Sequence, residues 1–459
     1  MRVLAGSSDH LDVIATMRIR SLIVSLVLAE ARGIASFPSP SSSSPAPRAV
    51  AAAPPADFTA NPRVGPGGSR YKDSPHFRIY SATNDATADG AIAMLESAYT
   101  CFVDDLGWRS PGLSFRSESE SGPWYKMNIY QVESLQGAAA NTPTDMTLGL
   151  AWLNVAKAYM TEPAVVVHEF GHALTYSAVA MPAGWIEQTR TGAWWETVAN
   201  FVADTYLTSS VCARARTRYN QRDGATLINL RKILGDSHQV LVDGTRDTGN
   251  YYEAWPFLSY VFANPDNYTG LGTPVFPAVW TRYARRSDET PLHVLERIIS
   301  PSTKIQTVVA RYWARMAFVD IGHAKAKAQF VSQRRNINYA NLDSQGGGRY
   351  RVKSARRPRY MGANLIPLKG TGNLVANVTA TGNPRAFTAT LAIQNTATGE
   401  ARYVDMPGGN GQATVASGEE AMLVVVNTPE KLVLFDPFKL TAETNTGLDY
   451  SVQLTGLTA

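Results

Sequence analysis

The five-residue segment His168-Glu169-Phe170-Gly171-His172 constrains this chain more than any other part of its sequence. On an α-helix, positions i and i+4 are about 400° apart, so the two imidazoles project from nearly one face, one turn apart. Two imidazoles in this arrangement can bind one metal ion, and Glu169 can then reach a water on that ion without being a ligand itself. Because the 459 residues include only seven histidines, this spacing is rare by chance.

The residues around this segment predict a helix over 162–178. Thr161 is a candidate N-cap, and Glu162 and Pro163 suit the first turn of a helix. Gly171, between the two histidines, would allow a neighbouring element to approach closely. The motif is therefore expected on a packed helix rather than in a loop.

A catalytic zinc site needs a third protein ligand and an open position. A third histidine at the H-E-x-x-H-x-x-G-x-x-H spacing is absent, because His172 is followed by Ala-Leu-Thr-Tyr-Ser-Ala. The preferred third ligand is Glu196, in a predicted helix over 194–208, and Glu187 and Asp204 are its rivals. Asn200 shares a helix face with Glu196, and Asp204 continues that face, so either side chain could hold the Nδ1–H of a ligating histidine.

Cysteine usage narrows the kind of site and the compartment. The two cysteines, Cys101 and Cys212, exclude a disulfide-rich scaffold, an iron–sulfur protein and a four-cysteine zinc site. They either form a disulfide or remain two buried thiols. Residues 1–36 have the basic start, short apolar run and small residues of an export signal, which predicts a secreted protein.

Composition along the chain predicts the domain boundaries. Residues 37–70 are interpreted as a Pro/Ser/Ala-rich linker or pro-segment, and 71–335 as a mixed α and β domain with an edge strand at 148–155. Residues 334–360 carry eight arginines and lysines against Asp343 alone, so 336–360 is interpreted as a solvated basic linker. Residues 361–459 read as short strands separated by turns, which is typical of a β-sandwich.

Two classes of partner are not indicated. The net charge of +5 is too mild to imply nucleic acid, and no stretch has the length and apolarity of a membrane span. The triplets that begin at Asn267 and Asn377 are potential N-glycosylation acceptors.

The combination of His168-Glu169-x-x-His172 with Glu196 resembles the gluzincin class of zinc metallopeptidases, which includes thermolysin. The Glu196-x-x-x-Asn200 spacing is similar to the E-x-x-x-D of thermolysin, with Asn in place of Asp. The longer gap before Glu196 and the C-terminal β domain look closer to enhancin-like peptidases, which act on mucin-type glycoproteins. The run through Trp194-Trp195-Glu196 also resembles a poorly characterised family of secreted fungal and bacterial proteins.

The resemblance implies an α+β fold, a zincin-like metallopeptidase domain with an N-terminal α/β part and a C-terminal helical part, followed by the β-sandwich. It implies one Zn²⁺ per chain bound by His168, His172 and Glu196, with Glu169 as the general base. Tyr252 is the preferred oxyanion donor, and Tyr251, His238 and His293 are alternatives. The edge strand, at 149–155, is the candidate for binding an extended substrate.

The implied substrate is a protein or glycoprotein, with contact to carbohydrate through the C-terminal domain. One alternative is a catalytically silent secreted binding or adhesion protein on the same scaffold. Another is a zinc hydrolase that acts on a non-peptide amide or ester.

Overall fold

The computed structural model describes residues 53–180, 184–185, 187–284, 286–382 and 386–459. The predicted export signal, at 1–36, lies outside these residues, as does the part of the predicted linker before residue 53. The remainder of that linker does not behave as one. Phe58 and Val64 are buried, and the Asn128 side-chain amide donates hydrogen bonds to the main-chain oxygens of Asn61 and Val64. The apolar side chains at 58 and 64 therefore extend the folded domain to before residue 71.

The N-terminal part is a five-stranded sheet in the order β1-β2-β3-β7-β4. Strands β2, β3 and β7 are parallel, and β4 runs antiparallel to β7 at the edge of the sheet. A separate two-stranded pair joins β5 and β6. The strands are β1 (Tyr71–Asp73), β2 (Phe77–Tyr80), β3 (Met127–Val132), β4 (Ala140–Asn141), β5 (Thr144–Asp145), β6 (Leu150–Ala151) and β7 (Leu153–Ala156).

The edge strand is not the one that the sequence predicted. The segment 149–155 is divided between two strands: Leu150–Ala151 form β6, which pairs with β5, and β7 begins at Leu153 and lies between β3 and β4 inside the main sheet. Leu153 and Val155 are fully buried, as a central strand requires. The short strand β4 takes the edge position.

Helices cover this sheet and form the region between it and the C-terminal part. Helix α1 (Asp85–Tyr99) continues into a π-helical segment at Thr100–Asp105. Helices α2 (Pro163–Ser177) and α3 (Gln188–Thr208) follow the sheet, and α3 begins six residues earlier than the sequence predicted. The shorter helices are α4 (Ala213–Arg218), α5 (Leu230–Gly235), α6 (Asn250–Glu253), α7 (Trp255–Ala263), α8 (Val275–Arg282), α9 (Pro291–Ile298), α10 (Ile305–Met316) and α11 (Ala324–Gln333).

The C-terminal part contains two further sheets, in the orders β10-β15-β12-β13 and β14-β11-β16-β9-β8. Helix α12 (Ala442–Asn445) precedes the last strand. The strands are β8 (Leu342–Gly346), β9 (Arg349–Val352), β10 (Ala363–Leu368), β11 (Gly372–Ala380), β12 (Phe387–Asn395), β13 (Ala401–Asp405), β14 (Asn410–Val415), β15 (Glu419–Asn427) and β16 (Tyr450–Thr455).

The prediction of a basic linker at 336–360 is wrong, because β8 and β9 belong to the second of these sheets. Along β9, Arg349 and Arg351 face outward while Tyr350 and Val352 are buried. Arg351 and Arg357 both pair with the carboxylate of Asp449, at 2.6 and 2.7 Å. The positive charge is therefore carried by the outer face of a strand and by ion pairs.

The helical part and the β-sandwich pack against each other through strand β15, which contributes to two separate cores. Alternate residues of β15 point to opposite sides: Leu423 and Val425 lie in the sandwich interior, and Val424 and Val426 pack with the helices. A loop after β15 places the ring of Phe438 where a Cβ on Gly192 or Gly244 would lie 2.9 or 2.8 Å from it. The two parts are packed together through apolar side chains, so the molecule mixes helices and sheets in the way an α+β fold does.

Cys101 and Cys212 form a disulfide that joins the π-helical segment to the turn after α3, across a sequence separation of 111 residues. Both cysteines are fully buried. Within the described ranges, no helix has the length and apolarity needed to cross a membrane.

Candidate metal centre

Helix α2 carries the two histidines of the motif on one face. The helix starts at Pro163, whose missing N–H costs nothing in the first turn. His168 and His172 are buried, at 3% and 8% exposure, and their rings are 4.9 Å apart and nearly perpendicular. The structure confirms that the motif lies on a helix.

Helix α3 packs directly against this face because Gly171 has no side chain. A Cβ at Gly171 would lie 2.9 Å from the Cα of Ala199 and 3.1 Å from the Cβ of Val202. The close approach brings Glu196 and Asn200 of α3 alongside the histidines. The geometry of the site therefore depends on a glycine in the middle of the motif.

We expect Gly171→Ala to destabilise the protein. Alanine favours the helix by about 1 kcal/mol, but overpacking costs about 1–3 kcal/mol, so the free energy of unfolding should fall by up to about 2 kcal/mol in denaturant titrations. Gly235→Ala is the control, because a Cβ there would meet nothing nearer than 3.9 Å. A Gly171→Ala protein as stable as the Gly235→Ala protein would contradict the close packing.

Glu196 lies between the two imidazoles. Its Oε2 atom is 3.2 Å from Nε2 of His168 and 3.4 Å from Nε2 of His172. The side chain of Glu196 remains 23% exposed, so the site opens toward solvent at this point. The structure thus brings together the three residues that the sequence proposed as ligands.

Asn200 fixes the hydrogen position on His168. The Asn200 side-chain nitrogen donates to the main-chain oxygen of Tyr252 at 2.7 Å, so its Oδ1 is the atom that faces Nδ1 of His168 at 2.8 Å. An amide oxygen can only accept, so Nδ1 of His168 carries the hydrogen and Nε2 of the neutral ring presents a lone pair. That lone pair faces a carboxylate oxygen at 3.2 Å. Two acceptors this close require a cation between them, either a proton or a metal ion.

The pKa shifts of Glu196 and His172 also indicate that this site favours positive charge. Burial raises the pKa of Glu196, but the neighbouring imidazoles lower it further, and the net pKa lies well below its ordinary value. Burial lowers the pKa of His172, but the carboxylates of Glu196 and Glu169 raise it, and the net pKa lies above its ordinary value. Imidazole nitrogens and a carboxylate oxygen are a donor set suited to a divalent metal.

We expect Asn200→Ala to weaken zinc binding by about 10- to 100-fold, because ligand-orienting partners typically contribute that much to metal affinity. The zinc dissociation constant, measured by competition with a chromophoric chelator, checks this. Asn229→Ala is the control, because that asparagine caps α5. Equal zinc affinities for the two variants would contradict the role of Asn200.

Glu169 lies on the same helix as the histidines, but its carboxylate contacts Thr142, which follows strand β4. One ligand atom from each of His168, Glu169 and His172 lies within 4.8 Å of the others. Oε2 of Glu169, however, is 2.6 Å from the Thr142 hydroxyl. Because Glu196 contacts both Nε2 atoms and Glu169 is engaged by Thr142, Glu196 is the more suitable of the two to complete a metal site with the histidines. No motif marked Thr142, since only the fold brings together residues 27 positions apart.

The prediction that Asp204 could hold the Nδ1–H of a ligating histidine is wrong. Its carboxylate is buried and accepts from the Thr226 hydroxyl and the Leu227 amide, both at 2.7 Å, and from His323 at 2.5 Å. Asp204 therefore ties α3 to the start of α11, where His323 is the N-cap. Nδ1 of His172 has no hydrogen-bond partner in the part of the chain that the structure describes.

The other candidates fall into two groups. The Tyr252 ring stacks 6.5 Å from the His168 ring, and Tyr251 packs between Tyr252 and Phe438. Glu187 occupies the N-cap position of α3, ahead of the site. His293 caps α9 with Thr290, and His238 sits beside Arg356, where burial and that positive charge lower its pKa to about 4. Of the oxyanion candidates, Tyr252 therefore lies beside His168, Tyr251 lies next to Tyr252, and the two histidines have structural surroundings.

No curated protein matches the chain. A protein family described as a family of unknown function, DUF6055, matches residues 72–458. This range includes both the candidate metal centre and the β-sandwich. The chain therefore belongs to the DUF6055 family.

Proposed function

We propose that the chain is a secreted zinc-dependent peptidase, with His168, His172 and Glu196 as the metal ligands. The observation that carries this proposal is the convergence of two imidazole Nε2 atoms and one carboxylate oxygen, 3.2 and 3.4 Å apart. Ligand atoms at about 2.0–2.1 Å from a tetrahedral zinc ion lie about 3.4 Å from one another. The spacing is therefore compatible with a bound zinc ion, and a fourth ligand could enter from the solvent-facing side of Glu196.

The surrounding residues supply the rest of a hydrolytic site. Zinc, when bound, acts as a Lewis acid that polarises a peptide carbonyl and lowers the pKa of water toward about 7. Glu169 accepts a proton from the attacking water and passes it to the leaving amine. Tyr252 lies over His168 and is the candidate donor to the oxyanion that develops on the carbonyl. Asn200 keeps the His168 ring in its tautomer.

The proposed substrate is an extended segment of a protein or glycoprotein. Strand β4 forms the edge of the N-terminal sheet. The next residue after it, Thr142, contacts Glu169. An edge strand beside a catalytic centre can bind substrate through main-chain hydrogen bonds. The disulfide between Cys101 and Cys212 supports an oxidising compartment, which agrees with secretion.

Metal analysis and a cleavage assay test the proposal together. The purified protein should contain about one zinc per chain, should cleave casein or mucin, and should lose cleavage on treatment with a chelator and regain it with zinc. A protein that binds no zinc overturns the proposal. A protein that binds zinc but cleaves neither substrate supports a binding function in its place.

A further inference from the structure

The Thr142 hydroxyl contacts two oxygen atoms of Glu169, the proposed base. Its hydroxyl oxygen lies 2.6 Å from Oε2 of Glu169 and 2.9 Å from the main-chain oxygen of Glu169. Thr142 follows the edge strand β4 directly, while Glu169 lies in the middle of α2. The contact therefore connects the edge of the sheet to the carboxylate that would take the proton.

The hydroxyl suits this position better than other side chains would. A hydroxyl donates one hydrogen bond and accepts two, and its hydrogen rotates to suit the partner. It can donate to Oε2 while Glu169 is a carboxylate. When Glu169 carries the transferred proton on its other oxygen, Oε2 has no hydrogen and still accepts from the hydroxyl, or the hydroxyl can donate to the main-chain oxygen instead.

The contact also distinguishes the two carboxylate oxygens of Glu169. A glutamate side chain has three rotatable bonds, and a carboxylate that is free to rotate spends little time in one reactive orientation. Because Thr142 engages Oε2, Oε1 is left to accept the proton of the reacting water. Glu169 is 6% exposed, so few waters compete for this hydrogen bond.

We propose that Thr142 is a positioning residue that orients the Glu169 carboxylate for proton transfer. The inference rests on the proposed peptidase function and adds to it a residue outside the H-E-x-x-H motif. A purely structural role, in which Thr142 anchors β4 to the main chain of α2, is the alternative that the test must separate.

The test uses zinc-loaded full-length protein in five forms: wild type, Thr142→Val, Thr142→Ser, Glu169→Gln and the Thr142→Val/Glu169→Gln double variant. Two readouts need no turnover. One is affinity for a peptide hydroxamate, which chelates the metal and hydrogen-bonds to the base. The other is affinity for a peptide thiol, which binds the metal through sulfur alone. The kcat and KM for a peptide substrate are measured beside them, with zinc content and Tm as checks of folding.

If Thr142 orients Glu169, Thr142→Val should lower kcat and hydroxamate affinity by about 10- to 100-fold, with KM and thiol affinity unchanged. Thr142→Ser should restore both to near wild type. In the Glu169→Gln background, Thr142→Val should have no further effect on hydroxamate affinity, because the group that it positions is already altered.

The outcomes that overturn the inference are distinct from those that overturn the function. If the wild type binds zinc and hydroxamate but Thr142→Val binds hydroxamate equally well, the role of Thr142 is wrong and the peptidase proposal stands. Equal losses in thiol and hydroxamate affinity, or a further loss in the double variant, indicate the structural role. A wild type that binds neither zinc nor hydroxamate overturns the proposed function and, with it, this inference.

Discussion

Glu169→Gln is expected to lower kcat/KM by about 10²- to 10⁴-fold, which is the usual contribution of a general base. The glutamine side chain fits the same space and can still hydrogen-bond to the Thr142 hydroxyl, but it cannot accept a proton from water. Zinc content should stay at about one per chain, because His168, His172 and Glu196 are unchanged. Steady-state kinetics on a fluorogenic peptide, combined with metal analysis of the same sample, measure both quantities.

The matched control is Glu162→Gln. Glu162 lies on the same helix, at the N-cap position of α2, and its side chain makes no capping hydrogen bond there. The same chemical change at this position should leave kcat/KM within about twofold of wild type, as surface substitutions usually do. Substantial cleavage by the Glu169→Gln protein would exclude Glu169 as the base.

Glu196→Gln is expected to have the second large effect, and on a different quantity. An amide is neutral and a weak zinc ligand, so the zinc dissociation constant should rise by more than the roughly 100-fold typical of losing a ligand-orienting partner. Activity should be lost with the metal and should return in part at high zinc concentration. The two variants are therefore distinguishable, because Glu169→Gln keeps the metal and Glu196→Gln does not.

Glu187→Gln is the control for Glu196 and also tests its rival. Glu187 precedes the same helix and makes no side-chain capping hydrogen bond. Its substitution should leave zinc affinity unchanged. If Glu187→Gln lost zinc while Glu196→Gln kept it, the ligand set would have to be redrawn around the start of α3.

The parts of the site that could be predicted from the sequence are those set by helical periodicity. His168 and His172 are one turn apart, and Glu196 and Asn200 are one turn apart on the next helix, so each pair shares a face in any helical fold. The packing that brings the two pairs together was indicated by Gly171 alone. Asp204 keeps the same period, but α3 carries it one further turn away, to His323.

Two kinds of feature were not predicted from the sequence. Some depend on contacts between segments that are distant in the chain, and in one strand the charged residues hid the alternating pattern. Strand β9 alternates Arg349, Tyr350, Arg351 and Val352, which is the period of a half-buried strand, but its arginines suggested a solvated linker. Which strand occupies the edge of a sheet depends on how later strands add to it, and β4 is too short to be recognised by periodicity. The contact between Thr142 and Glu169 is likewise a product of the fold.

The disulfide makes a closed covalent ring of residues 101–212, and this ring contains every polar residue assigned to the metal centre except Tyr252. A protease that acts on this molecule would cut it first in its exposed loops. One cut inside the ring leaves the two fragments covalently joined, and the packing of α2 on α3 continues to hold His168, His172 and Glu196 together. The bond between Cys101 and Cys212 would thus keep the residues of the candidate metal centre together in a molecule whose chain has been cut once between them.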